Sequence, residues 1–129
     1  MLDAGGVLVG TRDGRSLLPV VAVLRAAGLR TALLTNADRD SDVPPDWRAL
    51  FDVVVVSGEV GVRKPDPRAY ALVAARLGVP PERCVMVDDL AGNCRGAVAA
   101  GMTSVHHGTY GTTLAELGAL LDLPLEGCV

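Results

Sequence analysis

Met1-Leu2-Asp3-Ala4-Gly5-Gly6-Val7-Leu8 opens this chain of 129 residues and decides how the rest is read. An apolar start runs into an acid, then two glycines, then apolar residues again. An acid at the end of a buried strand, followed by backbone free to turn, is how doubly wound α/β proteins present a reactive group, because their ligands sit outside the carboxyl ends of the strands. Asp3 is therefore the expected reactive centre. Only Met1 and Leu2 precede it, which is short for a central strand of typically about five residues.

Working outward, the pattern alternates strand and helix. Leu17, Leu18, Val21 and Leu24 recur at helical spacing, with Ser16 as N-cap and Gly28 as terminator, so a helix is predicted over 17–27. Thr31–Thr35 reads as a buried strand and 37–46 as a polar loop. A short helix around Trp47–Leu50 and a β-branched strand over 52–56 follow. Residues 57–66 read as a loop. Asp66 and Pro67 start a helix that runs to Leu77 and stops at Gly78. A strand over 84–87 ends in Asp88-Asp89. An Ala-rich helix over 91–100, a strand over 103–106 and a helix over 114–121 complete the chain. Such alternation predicts one α/β domain over 1–129, a parallel sheet with helices on both faces.

Composition narrows the function. A net charge of −3 gives no basic stripe for a nucleic acid. No apolar run approaches the length of a membrane span, and nothing at the N-terminus reads as a secretory leader. The three cysteines, Cys84, Cys94 and Cys128, show no CxxC spacing. They read as free thiols in a reducing compartment, which places the chain in the cytoplasm. Of the twelve basic residues, Lys64 is the single lysine. A compact ammonium suits a crowded carboxylate and phosphate site where a planar guanidinium does not.

Asp3, Thr35, Lys64 and Asp88-Asp89 stand at the carboxyl ends of predicted strands or in the loop just beyond. In a parallel sheet those ends share one edge. Grouped carboxylates repel, and a divalent cation relieves them; oxygen-only ligands select Mg²⁺ over Zn²⁺. Carboxylate, Mg²⁺ and lysine together point to phosphoryl chemistry, in which the carboxylate attacks phosphorus and forms an acyl phosphate. Thr35 can donate its hydroxyl to a phosphate oxygen, and the N–H groups of Ala4 and Gly5 can add further donors.

These residues resemble the four motifs of the haloacid dehalogenase superfamily of hydrolases, mostly Mg²⁺-dependent phosphatases. The first is Asp3-Ala4-Gly5-Gly6-Val7-Leu8, the second Leu33-Leu34-Thr35-Asn36, and the third Lys64-Pro65-Asp66-Pro67 followed by Tyr70. The fourth is Val87-Asp88-Asp89-Leu90-Ala91-Gly92-Asn93, with Gly96-Ala97 and Ala100-Gly101-Met102 after it. The resemblance implies a Rossmann-like sheet of five strands in the order 5-4-1-2-3. It implies Asp3 as nucleophile and metal ligand, Asp89 as metal ligand, and Asp88 as a second ligand or a supporting group. It further implies a metal contact from the Gly5 carbonyl, with Thr35, Asn36 and Lys64 on the phosphate and Asn93 supporting the metal loop.

Two departures from the family pattern bear on activity. Gly5 stands where its phosphatases carry an Asp that acts as general acid and base, a contribution of about 10²–10⁴ in rate. Asp3 and Thr35 are too close in sequence for a cap domain. An open site admits a phosphorylated small molecule or a larger phosphorylated ligand, and is compatible with a homodimer. The leading expectation is a capless Mg²⁺-dependent phosphohydrolase. The alternative is a binding or regulatory protein that keeps the fold without useful turnover. Haloacid dehalogenation ranks lower for want of a capped apolar pocket. A receiver-type module ranks lower because its acidic pair would close the first strand.

Overall fold

The first strand of the sheet, β1, is Gly6–Val9. This corrects the expectation of a strand ending at Asp3. A central strand of a parallel sheet is buried on both faces and takes an uninterrupted apolar run. Val7, Leu8 and Val9 supply one, each at most 3% exposed, whereas two apolar residues before Asp3 do not. The computed structural model describes residues 5–10 and 17–125. Asp3, Ala4, Ser16 and Cys128 lie outside the described residues.

The remaining strands are β2 (Arg30–Thr35), β3 (Val53–Val56), β4 (Cys84–Asp88) and β5 (Thr103–His106). All pair in parallel, in the order β3-β2-β1-β4-β5, which is the expected order read from the other side. The helices are α1 (Leu18–Ala26), α2 (Pro45–Arg48), α3 (Ser57–Val60), α4 (Pro67–Leu77), α5 (Ala91–Ala99) and α6 (Tyr110–Leu121). Between β1 and β2 the described residues hold α1 alone.

Alternation along the strands sorts the core into two layers, because successive side chains point to opposite faces. Val7, Val9, Leu33, Val85 and Val87 join α1 and α6 through Val20, Leu24, Leu114 and Leu117. Leu8, Leu34 and Met86 meet α4 and α5 through Tyr70, Val73, Leu77 and Ala97. Helices thus cover both faces, and the carboxyl ends of all five strands are left at one edge.

Two further elements differ from expectation. The loop predicted over 57–66 begins with α3, a single turn that Gly61 ends at φ +82°. Helix α6 begins at Tyr110 rather than Leu114 because Thr109 caps it, its Oγ1 accepting from the Thr112 N–H at 3.2 Å; apolar spacing alone does not reveal that polar first turn. Among the described residues no helix is long and apolar enough to cross a membrane.

Candidate active site

At the carboxyl edge the chain buries its single lysine. Lys64 is 5% exposed, and its Nζ donates to the Asp88 Oδ2 at 2.8 Å and to the Gly10 carbonyl at 2.7 Å. A buried ammonium needs such partners, since desolvation without them is prohibitive. Asp88 ends β4 at full burial. Its Oδ2 also accepts from Asn93 Nδ2 at 3.2 Å, and its Oδ1 accepts from the Leu90 N–H at 2.9 Å. Asp88 therefore holds Lys64, the turn into α5 and the first part of that helix together.

The backbone of Lys64 is fixed as firmly as its head. Asn36 Oδ1 accepts from the Lys64 N–H at 2.9 Å, and Asn36 Nδ2 donates to the Lys64 carbonyl at 3.1 Å. Ser57 Oγ donates to the same Asn36 Oδ1 at 2.9 Å. Asn36, expected among the substrate contacts, is thus a clamp on the lysine loop. Thr35 closes its own turn, its Oγ1 accepting from the Ala37 N–H at 3.2 Å. Tyr70, fully buried, donates its hydroxyl to the Asn93 carbonyl at 2.7 Å. Burial, and then the Asp88 charge, push that hydroxyl well above its ordinary pKa, so it stays a donor.

Thr35, Asn36, Lys64, Gly10 and Asn93 all line one cavity of about 540 Å³. Three expected site residues therefore meet at one place, with Asp88 behind Lys64. Gly5 does not join them. Its N–H donates to the Arg83 carbonyl at 2.7 Å, and its carbonyl accepts from the Arg30 N–H at 3.1 Å. Both partners stand at the entry of the strands, the edge opposite Lys64, so the expected metal contact from the Gly5 carbonyl is corrected. The residue that follows β1 into the site is Gly10. A Cβ there would collide with Lys64 Nζ and Met86 Cε and come within 2.6 Å of Asp88 Oδ2. A side chain at the end of β1 has to displace the tips of Lys64 and Met86 and crowd the Asp88 carboxylate.

The donor set for Mg²⁺ is thin among the described residues, where no three of His, Cys, Asp and Glu cluster. Asp88 is engaged on both oxygens. Asp89 is different: its Oδ1 is buried with no hydrogen-bond partner, and its carbonyl lies 3.0 Å from His106 Nε2. An orphaned carboxylate oxygen is what a hard cation satisfies, so Asp89 fits one ligand position. Sequence reasoning missed Gly10, Ser57, Trp47 and Arg63. Glycine and serine carry no signal without a neighbour list, whereas Arg63 adjoins the quoted motif and Trp47 is the single tryptophan.

This sheet order, with a hydroxyl residue, a lysine and an acidic pair at its carboxyl edge, defines a Rossmann-like α/β core. A family model for haloacid dehalogenase-like hydrolases matches residues 15–101, and the chain belongs to that family. It is 39% identical over 120 residues to acyl-CoA dehydrogenase family member 10 of Mus musculus, covering 90% of this chain and 11% of that one. It is 36% identical over 133 residues to a phosphatase of Mycobacterium tuberculosis, covering 94% of this chain and 60% of that one. The chain spans less than two thirds of the length of these curated relatives. A crystal structure of an uncharacterized protein from Corynebacterium glutamicum superimposes with a TM-score of 0.82 at 27% identity, covering 92% of this chain and 96% of that one.

Proposed function

We propose that the chain is a Mg²⁺-dependent phosphohydrolase core acting on a phosphomonoester. One observation carries this reading: a buried ammonium, Lys64, fixed by Gly10 and Asp88 with a third donor left over, in the lining of an open cavity that Thr35 shares. A fixed cation in low dielectric stabilises the charge of a transferring phosphoryl group without reorganising during the reaction. Thr35 supplies a hydroxyl donor to a phosphate oxygen. Asn36 and Asp88 hold the lysine in position, and Tyr70 supports Asn93 behind them.

Asp3 is the nucleophile in this reading on its place in the motif order alone; Gly5, two residues on, stands at the edge opposite Lys64, so the role requires the chain before Gly6 to reach the carboxyl edge. Its carboxylate oxygen bonds to phosphorus as the ester oxygen departs and takes a proton from water. A second water then attacks the acyl phosphate, releasing inorganic phosphate and restoring the carboxylate. Asp89 and Asp3 would hold Mg²⁺, which would supply charge neutralisation at the phosphoryl oxygens. With glycine, Gly10, rather than an acid following β1 into the site, esters with good leaving groups turn over fastest.

One observation favours a second reading, a phosphate-binding core without turnover. Gly10, not an acid, follows β1 into the site, and Lys64 and Asp88 satisfy one another there. Hydrolysis of p-nitrophenyl phosphate separates the two. Activity that needs Mg²⁺ and disappears in Asp3→Asn and in Lys64→Met supports the hydrolase. Phosphate binding with no turnover in the wild type supports the binding core. Turnover that survives Asp3→Asn removes the nucleophile assignment.

A further inference from the structure

The cavity beside Lys64 has a lining that phosphate alone does not use. Trp47, Pro44, Asp42 and Arg63 contribute to it. Arg63 is exposed, and its guanidinium makes one hydrogen bond, from Nη2 to the Asn36 carbonyl at 3.1 Å. Arg25, Arg48 and Arg68 each pair with an aspartate, whereas Arg63 has no carboxylate partner among the described residues. Asp42, the acid in the same lining, accepts from the Arg39 N–H at 3.0 Å. Trp47 adds a second vacant donor, since its Nε1 is buried with no acceptor. An indole N–H can only donate, and a guanidinium fork matches the two oxygens of a carboxylate or phosphate.

We propose that these residues read a second anionic group. The ligand is a small organic phosphate whose far end carries a carboxylate or another phosphate, accepting from Arg63 and Trp47 while Lys64 faces the first phosphate. Pro44 and the Trp47 ring flank the carbon chain between them. This inference rests on the phosphate reading of the Lys64 end.

Trp47 is the only tryptophan, so its fluorescence reports ligand entry directly. The full chain is titrated with inorganic phosphate, butyl phosphate, carboxypropyl phosphate and butanediol bisphosphate, with calorimetry in parallel. Carboxypropyl phosphate or the bisphosphate is expected to bind about tenfold or more tightly than butyl phosphate, the gain of one charge-assisted pair. The tighter of the two identifies the second group. In Arg63→Met the ratio falls to about one, and Arg63→Lys retains part of it. Equal affinity for all three esters, or the same ratio in wild type and Arg63→Met, overturns the inference while leaving the phosphate reading intact. No response to inorganic phosphate or to any ester overturns both.

Discussion

Lys64 is held by charge at its head and by an amide clamp at its backbone, and the two constraints have different consequences when removed. Lys64→Met leaves the Asp88 carboxylate buried without its cation. Breaking a buried pair from one side costs about 3–5 kcal/mol, so urea unfolding of Lys64→Met should show a clearly lower midpoint. Adding Asp88→Leu should recover part of the loss, because the stranded charge is then gone; no recovery would mean the lysine matters chiefly through Gly10. Lys64 was legible in the sequence because it is the only lysine and stands in a motif. The clamp was not, because an asparagine after a strand reads equally well as a ligand contact or a turn former.

At the scale of elements, α5 approaches the lysine loop where it has no side chain. A Cβ on Gly96 would lie 2.7 Å from the Pro65 carbonyl oxygen and 3.1 Å from the Tyr70 ring. Gly96→Ala should therefore push α5 off the loop and off α4, at about 1–3 kcal/mol for overpacking. Calorimetric melting checks this: an unchanged Tm would show that the contact relaxes freely. Helix α4 was readable end to end. The Asp66 carboxylate accepts from the Arg68 N–H at 2.9 Å, Pro67 occupies the first turn, and Gly78 closes the helix at φ +72°. Each of those signals is local. Strand β1 was misplaced because two stretches competed for one slot. The motif favoured the first, and the longer apolar run settled the second in the sheet. Long-range pairing of that kind leaves no trace in local spacing.

Over the whole molecule, buried thiols and Tyr70 tie stability to alkaline pH. Burial, with Glu82 adding to it, pushes the Cys84 thiol up to about 11 from 9.0. Cys94 moves the same way, through burial and then the Asp88 charge. Between those two values the unfolded chain has lost a proton that folded Cys84 keeps. Stability is thus fully present below pH 9 and falls as pH rises toward about 11. Urea midpoints measured across that window should decline, and the decline should be shallower in Cys84→Ala. The same slope in both proteins would assign it to other groups. The layered architecture itself was legible because period-2 and period-3.6 apolar patterns are strong over whole segments. The shared lining formed by Arg63 and Trp47 was not, because the two come together only across the folded edge.

The buried lysine also makes the protein an unusual substrate for amine chemistry. It has one ε-amino group in 129 residues, and that nitrogen is enclosed by Gly10 and Asp88. Acylating reagents react with it only when it leaves its Asp88 and Gly10 contacts. Mass-resolved acylation at Lys64 is then a clock for the release of this one pair, with no other lysine to blur it.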